Sequence, residues 1–174
     1  MLRIVWSDIL DVIVYIPDGL MLGVLWTMGY YVYTRYHGSN WRFRGAVIQL
    51  LFICYLVVMI KTALLCREPG SRDGMDLRLF STWGNSYQAH AYVIENIIMF
   101  APFGFFLPIV FKPVNLLISI FMGFFVSLSI ETIQLFTRRG FFQVDDIVTN
   151  MLGTIIGYLI YRFCTGMLTK KCKE

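Results

Sequence analysis

The chain has 174 residues, of which 57% are hydrophobic and 15% are charged, with a formal net charge of +4. A soluble domain usually has about a quarter of its residues charged, so this composition excludes an ordinary soluble protein. The basic residues are not interleaved with aromatic ones as in nucleic-acid-binding surfaces, so no nucleic-acid partner is expected. Residues 114–130 carry no charge at all. A segment of that length and apolarity is typical of a membrane-spanning helix.

Five apolar segments predict an all-α, polytopic integral membrane protein with a single membrane domain over residues 1–174. Each segment has about the 20 residues that a helix needs to cross the hydrocarbon core. The predicted spans are Gly19–Tyr36, Ala46–Cys66, Tyr92–Phe111, Val114–Phe136 and Asp146–Phe163.

The N-terminal residues precede the first predicted span. Pro17 disfavours a continuous helix, and Asp18-Gly19 has the composition of a turn. Residues 2–16 are therefore expected to form a separate short helix in the membrane interface. The alternative is one kinked span over residues 9–33, which would bury acidic side chains in hydrocarbon.

Basic residues predict the orientation of the spans. Three arginines flank the loop after the first span, and three lysines lie in the C-terminal tail: Arg35, Arg42, Arg44, Lys170, Lys171 and Lys173. Positive residues that flank spans stay in the cytoplasm. With five spans, residues 67–91 and 137–145 then face outward, and the chain crosses the membrane several times.

Polar side chains gather at the predicted outer ends of the last three spans. Glu131, Gln134 and Arg138 have helical spacing and share a face, which Ser127 extends one turn deeper. Because a carboxylate within the membrane is costly unless it is paired or hydrated, we expect one shared, outward-facing polar pocket. The candidate ligand-binding residues are Asn96, Glu131, Gln134, Arg138, Arg139, Asp145, Asp146 and Asn150, and among them Glu131 and Asp146 are the best catalytic candidates.

The fifth span contains a second pattern. Gly153 and Gly157 share a face with Asp146 and Asn150, and their small-xxx-small spacing favours close helix packing.

Each polar residue also has a structural interpretation that the sequence leaves open. The amides of Asn96, Gln134 and Asn150 can join helices, and Asp145 and Asp146 can cap the fifth span. Glu131 can form an ion pair with Arg138 or Arg139. Oxygen ligands from Glu131, Asp145, Asp146 and Asn150 suit a hard cation, which is a further alternative. The four cysteines and the two histidines do not have metal-ligand spacing. No metal or cofactor is predicted.

Three segments resemble the VanZ-like family of membrane proteins: "ENIIMFAPFG", "SIETIQ" and "VDDIVTNMLGTIIGY". The resemblance covers residues 76–161, with core helices near 92–111, 114–136 and 146–163. It departs from the family at Gln143, where an aspartate is common, and in the weaker match "DLRLF". It implies a role in low-level resistance to lipoglycopeptide antibiotics of the teicoplanin type, a Gram-positive origin and a location in the bacterial cell membrane.

Two classes of function fit the pocket. A binding protein would hold a lipoglycopeptide or a lipid-linked cell-wall precursor there, among membrane lipids and with a homo-oligomer as one assembly. A membrane-embedded enzyme would use Glu131 as an acid or base on a lipid-linked envelope substrate. Binding is favoured, because the sequence contains neither a Gly-x-Ser-x-Gly elbow nor a His-Glu-x-x-His site. A transporter or a scaffold for wall synthesis has less support, since five spans are few for alternating access.

Overall fold

The structure is a computed structural model that describes residues 2–38, 41–65, 68–70, 74–80, 83 and 86–171. Five helices in these ranges are long and apolar enough to cross a membrane, which confirms the all-α, multi-pass prediction. Helices suit a bilayer because each satisfies its own backbone hydrogen bonds. The α-helices are α1 Leu2–Val12, α2 Ile16–Tyr36, α3 Phe43–Ile60, α4 Tyr87–Val110, α5 Leu116–Thr137 and α6 Val144–Lys171. The first of the five candidate spans runs through both α1 and α2.

The N-terminal helix changes its hydrogen-bonding pattern shortly before Pro17. One 3₁₀ turn, Ile13–Tyr15, joins α1 to α2 with helical backbone throughout, and Val5–Tyr36 forms one candidate span, which favours the kinked-span alternative over a separate short helix. Pro17 lies in the first turn of α2, where a missing N–H costs little. The turn predicted at Asp18-Gly19 is wrong, because both residues lie inside α2. The interfacial position of α1 stays a prediction.

The later helices differ from their predicted bounds at two places. α4 begins a turn earlier than predicted because Ser86 caps it, its Oγ accepting from the Ala89 N–H at 3.1 Å. It also continues through Pro102 and Pro108 without a break. α6 extends to Lys171, well beyond the predicted end at Phe163.

Residues 7–66 form one of two compact units. In it, α2 and α3 approach closely at Gly19 and Gly23, where an added Cβ would lie 2.7 Å from the Cys54 carbonyl oxygen and 2.9 Å from that of Leu50. Lys61 begins a π-helical turn after α3 and forms an ion pair with Asp18.

The other unit, Met1–Trp6 with Arg67–Glu174, contains α4, α5 and α6. Gly153 confirms the predicted close packing, since an added Cβ would lie 2.5 Å from the Ile97 carbonyl oxygen of α4. At Gly157 the Cβ would collide with the Ala101 carbonyl. Two short strands, β1 Met75–Asp76 and β2 Phe142–Gln143, pair in parallel at the start of α6.

Candidate functional site

Glu131 lies on α5 and is almost fully buried, with 2% of its surface exposed. Its Oε2 accepts a hydrogen bond from the backbone N–H of Gln143 at 2.9 Å. Gln143 belongs to β2, directly before α6, so this bond joins α5 to the entrance of α6. A hydrogen bond to an ionised acceptor is roughly twice as strong as a neutral one, which offsets part of the cost of burying the carboxylate.

Asp145 accepts a hydrogen bond from a segment that is far away in the sequence. It is 2% exposed, and its Oδ1 accepts from the backbone N–H of Phe80 at 2.6 Å, across 65 residues of sequence. Because α6 begins at Val144, Asp145 lies in the first helical turn and not at the cap position. The positive end of the helix dipole also favours a carboxylate there.

The two carboxylates hold segments that pair with each other. We call these segments, residues 74–80 and 138–143, the clasp. Met75 pairs with Phe142 in the parallel register, and the Phe142 N–H donates to the Gly74 carbonyl at 3.0 Å. Each side of the clasp is therefore bound to a buried carboxylate on a different helix.

The amides predicted for the site connect helices to α6. Asn96 Nδ2 on α4 donates to Thr149 Oγ1 at 3.3 Å, and Asn150 Nδ2 donates to Ser127 Oγ on α5 at 2.8 Å. Thr149 and Asn150 are each 1% exposed. Asn96 and Asn150 thus have the packing role that the sequence left open, next to the two carboxylates.

The predicted stripe from Glu131 through Gln134 to Arg138 is wrong at its last member. Gln134 is buried on α5, but the helix ends at Thr137 and Arg138 takes a left-handed conformation with φ of 53°. Arg138 is therefore turned out of the helical register and is exposed. The N–H of Arg139 donates to the Gln134 carbonyl at 2.9 Å, and Arg139 is half-buried.

Burial divides the predicted residues into two groups. The buried group comprises Glu131, Gln134, Asp145 and Asn150. The other group has exposed surface: Arg138 is exposed, and Asn96, Arg139 and Asp146 are half-buried. Within the described ranges, no three His, Cys, Asp or Glu side chains converge as metal ligands.

Comparison of the sequence with known proteins places the chain in a family. A family model described as VanZ/LLP1 matches residues 46–165. The chain belongs to the VanZ/LLP1 family. It is 29% identical over 97 residues to a protein of Enterococcus faecium named Protein VanZ, a match that covers 56% of this chain and 58% of that protein. The chain thus spans less than two thirds of this VanZ relative's length. No solved structure matches it.

The VanZ/LLP1 match contains the whole clasp and every predicted site residue. Sequence reasoning missed three contributors to the site: the backbone N–H groups of Phe80 and Gln143 and the hydroxyl of Thr149. The only signal for Phe80 was the resemblance of "DLRLF" to a family loop, because a backbone amide has no side-chain signature. Thr149 lies between Asp146 and Asn150 in the sequence. The polar and apolar faces of that helix are not clearly separated in the sequence, so nothing singled Thr149 out.

Proposed function

We propose that this protein contributes to low-level resistance against teicoplanin-type lipoglycopeptides, in a bacterial cell membrane. It does so by binding an amphipathic ligand, either the antibiotic or a lipid-linked cell-wall precursor, at the outward end of α4, α5 and α6. Membership in the VanZ/LLP1 family and the similarity to Protein VanZ support the resistance role.

The anchoring of the clasp carries the binding proposal. Arg138 and Arg139 lie on a turn whose far end is fixed by the bond from Gln143 to Glu131. A turn held in this way loses little conformational entropy when it binds a ligand, which favours affinity. Guanidinium groups suit a phosphate or carboxylate headgroup, while Asp146 suits an amine or a hydroxyl.

Aromatic side chains around the clasp fit the apolar part of the same ligand. Phe136, at the end of α5, is 82% exposed, and Phe80 and Phe141 are 61% and 42% exposed. Phe80 also contacts Trp83 edge-to-face, with ring centroids 5.2 Å apart. Exposed aromatic residues next to guanidinium groups form a surface that suits an amphiphile. The aromatic rings contact its apolar part and the guanidinium groups bind its polar headgroup.

The first experiment compares Glu131→Gln with Glu131→Leu at matched membrane levels in a susceptible Gram-positive host. Inhibitory concentrations of teicoplanin and vancomycin are measured side by side. Glutamine keeps an acceptor for the Gln143 N–H but has no acid–base chemistry. We therefore expect Glu131→Gln to keep selective protection against teicoplanin and Glu131→Leu to lose it.

The same experiment tests the enzyme alternative. Loss of protection with Glu131→Gln, in a protein that is folded and present at wild-type levels, would overturn binding in favour of acid–base catalysis. Failure of the wild type to protect would overturn the resistance role itself. Arg138→Gln and Arg139→Gln are expected to weaken protection in degree, and Arg162→Gln, at an exposed arginine of α6 outside the clasp, provides the matched control.

A further inference from the structure

A line of oxygen-bearing side chains runs through the interior between α5 and α6. On α5, Ser119, Gly123, Ser127 and Glu131 lie four residues apart and therefore share a face. Ser119 and Ser127 are 0% exposed and Glu131 is 2% exposed. Twelve residues of helix correspond to about 18 Å, so the line covers most of a membrane span. We call it the α5–α6 seam.

Thr154 of α6 supplies the oxygen that Gly123 lacks. A Cβ added to Gly123 would lie 2.5 Å from Thr154 Oγ1, so the threonine hydroxyl occupies the space beside that glycine. Thr154 is 0% exposed. The seam thus has an oxygen at each helical turn between Ser119 and Glu131, although its surroundings are apolar helix.

Two buried atoms of the seam have no hydrogen-bond partner within the described part of the chain. They are Ser119 Oγ and Asn150 Oδ1. The Asn150 amide lies in the seam, because its Nδ2 donates to Ser127 Oγ at 2.8 Å. If the amide oxygen and nitrogen of Asn150 were exchanged, the nitrogen would be the atom without a partner. One buried amide atom therefore lacks a hydrogen bond in either orientation.

Water is the ligand that this geometry suits. A buried polar atom without a partner costs about 1–3 kcal/mol, and internal water commonly removes that cost in polar interiors. Oxygens one turn apart on the same helix, as at Ser127 and Glu131, are separated by about 6 Å, which one water bridges through two hydrogen bonds of about 2.8 Å. Hydroxyl, amide and carboxylate groups provide both donors and acceptors for such a chain.

We propose that the α5–α6 seam binds a file of internal water molecules that connects Glu131 with Ser119 at the other end of α5. The file hydrates the Glu131 carboxylate from inside the bundle. The inference does not rest on the proposed function, since it concerns the interior of the helices and not the clasp.

Hydroxyl-radical labelling of the full chain in lipid nanodiscs, with H₂¹⁸O as the isotopic probe, tests the seam. Radicals formed from internal water oxidise neighbouring methionines. Met122 and Met151, which adjoin Gly123 and Asn150 in sequence, report on the seam, and Met28 on the apolar surface of α2 is the control. We expect labelling of Met122 and Met151 to exceed that of Met28. Equal labelling would overturn the proposal.

Variants separate internal water from water that leaks in at the helix ends. Asn150→Leu removes the amide whose oxygen has no partner, and most of the labelling at Met151 should be lost. Ser129→Ala is the control on α5, because the Ser129 hydroxyl is exposed and donates to the Phe125 carbonyl. Unchanged labelling in Asn150→Leu would contradict a water file.

A second readout does not require Asn150→Leu to fold. If water already satisfies Ser119, the thermal midpoint of Ser119→Ala should stay the same or fall. If Ser119 is dry, removing its buried hydroxyl should raise the midpoint, and this result would overturn the proposal.

Discussion

The backbone N–H of Gln143 donates to Glu131 Oε2 across 2.9 Å, in a part of the bundle where Glu131 is 2% exposed. The sequence alone presents Glu131 as an acid–base candidate. In the structure the same carboxylate has a structural role, because its hydrogen bond with Gln143 fixes one end of the turn that contains Arg138 and Arg139. A glutamine retains the acceptor and removes the charge, so the two roles can be separated.

Stability measurements on Glu131 variants should show that separation. Glu131→Leu leaves the Gln143 N–H without its acceptor, and we expect a loss of about 1–3 kcal/mol in the free energy of unfolding. Glu131→Gln should lose clearly less. Denaturation of purified protein in mixed micelles measures both values. Equal losses in the two variants would mean that the charge, and not the acceptor, stabilises the site.

Asp145 should control the order of the clasp. Asp145→Ala removes the acceptor for the Phe80 N–H, so residues 74–80 and 138–143 should exchange their amide hydrogens faster. Asp145→Asn keeps an acceptor oxygen and should exchange nearly as slowly as wild type. Hydrogen–deuterium exchange followed by peptide mass spectrometry measures both segments. Acceleration confined to residues 74–80 would show that β1 and β2 do not couple the two sides.

Close packing of α4 and α6 should make Gly157 intolerant of a side chain. An alanine there would collide with the backbone carbonyl of Ala101, which cannot move aside as a flexible side chain would. We expect Gly157→Ala to lose at least about 2 kcal/mol, as overpacked core variants do. Gly166→Ala, in the same helix with nothing within 4 Å of the added Cβ, should change stability little. Thermal unfolding of both variants in detergent makes the comparison, and similar midpoints would contradict this packing.

The ion pair of Lys61 and Asp18 should stabilise the packing of α2 on α3. Lys61 also lies 5.4 Å from the centroid of the Tyr15 ring, which favours a cation there. Asp18→Asn and Lys61→Met each remove one charge of the pair from an apolar setting. Each is expected to lose about 1 kcal/mol or more, while the double variant should recover part of that loss. A double-mutant cycle in denaturation experiments measures the coupling, and additive losses would show that the pair is not coupled.

The sequence by itself determined the helical spans, because apolar segments of sufficient length have to satisfy their backbone hydrogen bonds internally in a membrane. It also determined the close approach of α6 at Gly153 and Gly157, which needs only small residues at a fixed spacing. Local chemistry also indicated the irregular turn before α2, since Pro17 restricts its own backbone and lacks an N–H.

Only the tertiary structure decided what the polar residues contact. Asp145 meets a backbone amide 65 residues away, and no pattern of side chains encodes such a partner. The exit of Arg138 from the helical register depends on where α5 ends, and that depends on the Arg138 and Arg139 amides reaching carbonyls of the last turn. Hydropathy and periodicity describe which face of a helix is buried. The identity of the neighbour that buries it is set by how separate helices and loops pack together.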